Sequence, residues 1–518
     1  MVQKINTMNK SRFFIVIAFL FTSLNKGSCQ TSTDDGLIKV NLLQLNDVYE
    51  IAALENGTVG GMSRVATIRK KLLKENPNTY TILSGDFLFP SAVGTMVYEG
   101  KPIKGRQMTE TMNIAGIDLV TFGNHEFDLK ETELIDRINQ SEFDWIGTNV
   151  WHNTSAGKIG FTKQEKFNLN TIPQTRILVF KDGDNTEVRI GVFSMTVNST
   201  LMPYVAYDDY ISSAKDAIAH LQNQCDFIIA VTHLSMDDDI LLAKAFPEVK
   251  LLIGGHEHVH SYTTIGNTII AKADANARTV YVHELLYDKK NKILKIKSDL
   301  VSLNNTIVED DQTLQVVNKW IAIADKSLRD QGFNPGEVLA NVSEAYDGRE
   351  SEIRFRSTNL TRLIAKAISA AAPGTDGSIY NSGGIRLDDE LVGTITQYDV
   401  VRTLPYGGKI MIAEMKGSLI KKAIETSYEH KGNGCFLQID KIEKNAKGKW
   451  LINKKELKDD KIYKIAINDY LVSGLQQYLE FLNDKNPDII KITGPGETDE
   501  LRQDLRKAII NYVRLGGR

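Results

Sequence analysis

Five apolar runs in the first half of the chain each stop on a polar cluster, and that punctuation constrains the fold more than any other feature. LLQL at 42–45 halts on Asn46-Asp47, and TYTIL at 79–83 on Ser84-Gly85-Asp86. DLVTF at 118–122 runs into Gly123-Asn124-His125-Glu126-Phe127-Asp128. CDFIIAV at 225–231 ends on Thr232-His233, and VKLLI at 249–253 on Gly254-Gly255-His256-Glu257-His258. Helical patterns such as GGMSRVATIRKKLLKE at 60–75 separate the runs, so the segment reads as βαβ units, an α/β sheet covered by helices. The clusters then gather at one edge of that sheet, where α/β proteins bind ligands.

Taken singly, an Asp after a strand is commonly a turn or cap residue, and a lone His a satisfied core residue. Five clusters together are another matter, because burying so many polar groups is costly unless something pairs them. Two divalent cations would do so. Such ions accept carboxylate oxygen, amide oxygen and imidazole nitrogen, and a pair roughly 3.5–4 Å apart is a standard device for hydrolysing phosphate esters.

The remainder of the chain sets the frame. Its 518 residues suffice for two domains. The net charge of -3 and the absence of a long Lys/Arg run exclude a nucleic-acid duplex or an anionic membrane surface as the main partner. Lys4, Lys10 and Arg12 precede FFIVIAFLF at 13–21, and Gly27-Ser28-Cys29 follow, the layout of a signal peptide over 1–29. Export to a periplasmic or extracellular compartment follows. A lipid anchor on Cys29 is the sharper alternative to simple cleavage, and Lys26 fits it poorly. No later segment is long and apolar enough for a transmembrane helix. Cys225 and Cys435 lie far apart and imply no disulfide.

The expected organisation is a first domain over 37–305, a linker helix over 306–334 and a second α/β domain over 335–518. The linker is read from EDDQTLQVVNKWIAIADKSLRDQGF, which Gly332 and Pro335 terminate.

Asp47, GD at 85–86, GNHEFD at 123–128, TH at 232–233 and GHEH at 255–258 resemble the calcineurin-like metallophosphoesterases. GGMSRVATI at 60–68 narrows the resemblance to the secreted 5′-nucleotidase and UDP-sugar hydrolase family, as do IRFRSTNLTRLI at 353–364, NSGGIR at 381–386 and PYGG at 405–408. That resemblance implies an N-terminal β-sandwich flanked by helices and a C-terminal substrate-binding domain. It assigns one metal to Asp47, Asp86 and His258, and the other to Asp86, Asn124, His233 and His256, with Asp86 bridging. His125 and Asp128 become the catalytic dyad, and a hydroxide made available by the metals attacks phosphorus. Arg354 and Arg386 become the phosphate-binding arginines, Asn381 a polar contact beside them, and Tyr406 and Tyr470 the rings that clamp a nucleobase. The implied activity is hydrolysis of 5′-nucleotides to nucleosides and phosphate. It further implies that the two domains rotate about the linker helix.

Two positions depart from the family pattern. Tyr49 stands where a metal-binding His is usual, so either its phenolate coordinates or the first metal takes water or Glu50 instead; Mn or Fe is then as plausible as Zn. Gln476 stands where an Asp contacts the ribose hydroxyls, offering one acceptor where Asp offers two. Two alternatives stay open. The same site could act on UDP-sugars, cyclic nucleotides or another small phosphate ester, or a degenerate site could leave a non-catalytic nucleotide-binding protein.

Overall fold

The computed structural model describes residues 35–517; the expected signal segment and Cys29 lie outside that range. In the strand Leu37–Leu45, side chains alternate between two buried faces, so its apolar residues serve two layers at once. Ile38, Val40 and Leu42 point into one core, Leu43 and Leu45 into another. This strand pairs in parallel with Thr79–Leu83, followed in the sheet by Leu119–Thr121 and Asp144–Ile146. On its other side it pairs antiparallel with Thr279–Asp288, and Ile293–Ser302 closes that edge.

A second sheet of six strands faces the first. Its centre is the parallel set Glu187–Thr196, Phe227–His233, Val249–Gly254 and Thr268–Lys272. Val188, Ile190, Val192, Ile229, Val231 and Ile253 meet Ile38, Val40, Leu42 and Leu119 between the sheets. The single covered sheet read from the alternation is therefore two sheets packed face to face, with the helices outside. Gln44 bolts them together at the site end. Its Nε2 donates to Gly254 O at 3.1 Å and Ala271 O at 2.7 Å, and its Oε1 lies 2.7 Å from His283 Nε2.

The long helix spans Asp311–Asp330; the Asp310 side chain caps it by accepting from Thr313 N–H, and Gly332 at φ 85° follows its end. Val317, Trp320, Ala324 and Leu328 form one buried stripe. That stripe packs on Met62–Glu75 and Arg106–Ala115, so the helix is part of the first half's outer layer rather than a bare connector.

In the second half the order is Leu437–Asp440, Gly377–Asn381, Ile462–Asn468, Ile410–Lys416 and Ile489–Thr493. Helix Asn359–Ala371, with a Thr358/Thr361 capping box, lies against this sheet, and Leu505–Arg514 packs on that helix. Gly377–Asn381 and Ile462–Asn468 run parallel, so Asn381 and Asn468 emerge at the same end. Cys225 and Cys435 are free thiols in different halves. No helix among the described residues is long and apolar enough to cross a membrane.

Candidate metal centre and substrate cavity

Parallel strands deliver their following residues to one edge, and here two sheets deliver to the same place. Asp47, Asp86 and Asn124 leave the first sheet; His233, His256 and His258 leave the second. His258 Nε2 lies 3.1 Å from Asp47 Oδ1, and His233 Nε2 lies 3.1 Å from Asp86 Oδ2 and 3.9 Å from Asp47 Oδ1. The His233 and His256 rings meet edge to face with centroids 5.3 Å apart. One atom each from Asp47, Asp86 and His258 fits within 4.8 Å of the others, a spacing that suits a single cation.

The backbone is bent to allow this. Asp47, Asp86, His256 and His258 all have left-handed φ, at 53°, 56°, 88° and 60°. Each such residue costs about 1–3 kcal/mol, and such strain persists where the surroundings over-determine it. Glycines clear the ground. A Cβ on Gly123 would come within 2.1 Å of Asp86 Oδ1, and one on Gly255 within 2.5 Å of Ser84 O.

Neighbouring groups aim the donors. His233 Nδ1–H donates to Ser84 O at 2.7 Å, which turns the Nε2 lone pair to the carboxylates. Asp47 Oδ2 accepts from Asn46 Nδ2 at 2.8 Å and from the His256 N–H at 2.9 Å. Asp86 Oδ1 accepts the His125 N–H at 2.8 Å. Glu126 holds the Asp86 loop, accepting the N–H groups of Asp86, Phe87, Leu88 and Gly123 at 2.6–3.0 Å. Burial and the Asp86 charge push the Glu126 carboxyl up to about 7, against the pull of those bonds.

The electrostatics call for positive charge. Burial would raise the Asp47 and Asp86 carboxyls, but the facing imidazoles outweigh it and both fall below the usual carboxylate range. Burial would lower His233, but Asp86 and Asp47 outweigh it and raise it to about 10. His256, dominated by burial and then by His233, drops to about 4 and is neutral at ordinary pH. Asn124 Oδ1 is a buried acceptor with no hydrogen-bond partner among the described residues, and Asp47 Oδ1 meets only imidazole nitrogens. Oxygen and nitrogen donors with this orphaned acceptor fit divalent cations.

Tyr49 reaches the cluster, its hydroxyl donating to Asp86 Oδ2 at 2.9 Å and lying 3.1 Å from His258 Nε2. Burial, followed by the Asp86 and Asp47 charges, raises the phenol well above its ordinary value. Glu50 does not substitute for the usual His. Its carboxylate turns away and accepts from Tyr398 of the second half at 3.3 Å.

His125 and Asp128, expected as a dyad, are in contact: His125 Nδ1 lies 2.7 Å from Asp128 Oδ2. Burial lowers His125, but the Asp128 and Asp86 carboxylates together outweigh it and the net shift is upward. Arg386 works the other way, donating Nη2–H to His125 Nε2 at 2.8 Å across the interface between the halves. Arg354 and Arg386 share the Glu350 carboxylate, which Arg354 above all holds far below its usual range against the effect of burial. Asp388 also crosses. Its Oδ1 accepts the Glu350 N–H at 2.6 Å, and its Oδ2 touches His258 Nδ1.

A cavity of about 770 Å³ joins these groups, and Asp86, Asn124, His125, Arg354, Arg386, Tyr406 and Tyr470 all line it. Tyr406 and Tyr470 are 49% and 44% exposed, so both rings present area to a ligand. Asn381 is 3% exposed and its amide is engaged at both ends, with Asn468 at 3.0 Å and Gln476 at 2.9 Å. Gln476 thus spends its acceptor on Asn381.

Residues 40–260 match the calcineurin-like phosphoesterase family, and residues 338–483 match the 5′-nucleotidase C-terminal domain. The chain belongs to the 5′-nucleotidase family of metallophosphoesterases. Mouse 5′-nucleotidase is 27% identical over 80% of this chain and 78% of its own length. A trifunctional nucleotide phosphoesterase of Bacillus subtilis is 25% identical over 86% of this chain, which spans only 32% of that larger protein. The crystal structure of a 5′-nucleotidase precursor from Thermus thermophilus covers 92% of this chain and 96% of its own, with TM-score 0.68 and 19% identity. It establishes the shared fold. This metallophosphoesterase is an enzyme that hydrolyses phosphate esters with divalent metal ions.

Proposed function

We propose that this metallophosphoesterase releases phosphate from nucleoside 5′-monophosphates, with Asp47, Asp86, Asn124, His233, His256 and His258 holding two divalent ions. The observation that carries the reading is the 2.8 Å contact from Arg386 of one half to His125 of the other, inside a cavity that also reaches the donor cluster. A phosphoryl group at that contact lies beside both the dyad and the donors. When bound, the ions supply Lewis acidity at the phosphoryl oxygens and lower the pKa of water.

The chain's own groups do the remainder. Arg354 and Arg386 take phosphoryl oxygens with planar, permanently charged forks. Asp128 fixes the imidazole of His125, whose Nε2 turns to the phosphoryl or leaving oxygen as charge builds there. Tyr406 and Tyr470 offer faces on which a base can stack, a contact tolerant of base identity. The names of the mouse and Bacillus relatives favour the same substrate class. Gln476, turned to Asn381, leaves the ribose less specifically read, so other sugar phosphates fit the same site. The apolar segment at 13–21 supports export.

A substrate panel tests this. With Mn, Zn or Co added, AMP should be hydrolysed faster than a non-nucleotide monoester and faster than UDP-glucose. Tyr406→Ala should raise KM for AMP about tenfold, the worth of one base–aromatic stack, without changing KM for the non-nucleotide ester. Equal rates across the panel would mean that the tyrosines do not read a base. Tyr49→His should tighten metal binding about tenfold and change which metal activates best, as read from titrations with Mn, Zn, Co and Fe. An unchanged preference would place the Tyr49 hydroxyl outside the control of the metal site.

A further inference from the structure

The least expected charge in the cavity is Glu350. Its half-buried carboxylate sits against two guanidiniums, with Oε1 2.6 Å from Arg354 Nη2 and Oε2 3.7 Å from Arg386 Nη1. Arg386 meanwhile points its other nitrogen at His125 Nε2. The backbone that carries this carboxylate is anchored, because the Glu350 N–H is held by Asp388 Oδ1 at 2.6 Å and Glu350 opens the short helix Glu350–Ile353 that leads into Arg354.

A guanidinium fork that suits phosphate oxygens suits carboxylate oxygens equally. Resting on the reading of Arg354 and Arg386 as the phosphate-side arginines, we infer that Glu350 is the resident anion of that site. Its carboxylate takes the place of phosphoryl oxygens in the substrate-free protein and sets how tightly any phosphate, product included, is held. The two arginines then present one net positive charge rather than two. An incoming phosphate must displace Glu350 or sit beside a like charge, and either weakens binding of substrate and of inorganic phosphate alike. The same residue keeps Arg386 near His125 between turnovers. The rival role is pure positioning, in which Glu350 aims Arg354 and its loss weakens phosphate binding. The two roles predict opposite signs.

The experiment measures inhibition by inorganic phosphate in the metal-loaded enzyme, with thermal melting as a check on folding. Glu350→Gln should bind phosphate about tenfold more tightly, and KM for a phosphate monoester should fall in parallel, because one like charge is removed at contact distance. Glu350→Asp keeps the charge and should stay near the wild-type inhibition constant. Unchanged or weaker phosphate inhibition in Glu350→Gln, while Arg354→Met weakens it, would overturn the role of Glu350 and leave the arginines as assigned. Equal gains in the Gln and Asp variants would also overturn it, because charge would not be the cause. If Arg354→Met and Arg386→Met both leave inhibition at the wild-type value, the reading of the arginines fails and this inference with it.

Discussion

His125→Ala is expected to lower kcat about a thousandfold while metal content stays at the wild-type level. The separation of the two effects follows from the geometry. Asp86 is held by the backbone N–H of His125, at 2.8 Å, and that bond survives loss of the ring. The imidazole itself touches Asp128 through Nδ1 and Arg386 through Nε2, and neither partner belongs to the donor cluster. Removing the ring therefore deletes a proton-handling group and the cross-interface contact of Arg386, and nothing that holds cations. Metal analysis of the purified variant together with steady-state kinetics on AMP reads both quantities. A kcat within tenfold of wild type would sink the dyad assignment. Lost metal would show that the ring, rather than the backbone, supports Asp86.

The gathering of the polar clusters at one edge was legible because each apolar run and the polar residues after it are local in sequence. Leu37–Leu45, Thr79–Leu83 and Val249–Gly254 are recognisable from their own composition, and the polar residues that follow each must emerge at its carboxyl end. That the strands divide between two sheets was not legible as residue pattern, since a strand buried on both faces reads the same in either arrangement. The division depends on partners far away in sequence, Thr279–Asp288 against Leu37–Leu45 and Glu187–Thr196 against Phe227–His233. Glu350 and Asp388 were illegible for a related reason. Their partners lie where the two halves approach, Asp388 meeting His258 and Glu350 meeting an arginine that reaches His125, and no local pattern records that approach. Asn381 sits at the expected strand end, yet the neighbouring strand's Asn468 and the departure at Gln476 together claim its amide.

Glu126 was hidden inside a motif that was otherwise read residue by residue, and its replacement should have the largest effect on stability. The 3-10 turn His125–Asp128 sends His125 and Asp128 to the cavity and Glu126 inward, where it is fully buried. Its two oxygens accept four backbone N–H groups, Oε1 from Phe87 and Leu88, Oε2 from Asp86 and Gly123. In Glu126→Ala those donors lose their partner together. An unpaired buried donor costs about 1–3 kcal/mol, so four left without a partner would cost about 4–12 kcal/mol, and even with partial rescue by water the loss is a large share of the roughly 5–15 kcal/mol that stabilises a domain. The loop so released carries Asp86 at φ 56°, a conformation it keeps only because its surroundings impose it. The variant should therefore melt about 10 °C or more below wild type and lose metal as well. Glu126→Gln should fall between the two, since one amide oxygen still serves one pair of donors while the NH2 faces the other pair. The contrast with Glu350 is sharp: both are acidic residues beside the site, yet Glu→Gln should harm folding at one and tighten phosphate binding at the other. Glu126 is bonded to the backbone of its own half, whereas Glu350 is bonded to side chains that a phosphate can take over. A Glu126→Ala protein with wild-type melting and full metal content would mean that the Asp86 loop is held by Gly85 and the flanking strands alone.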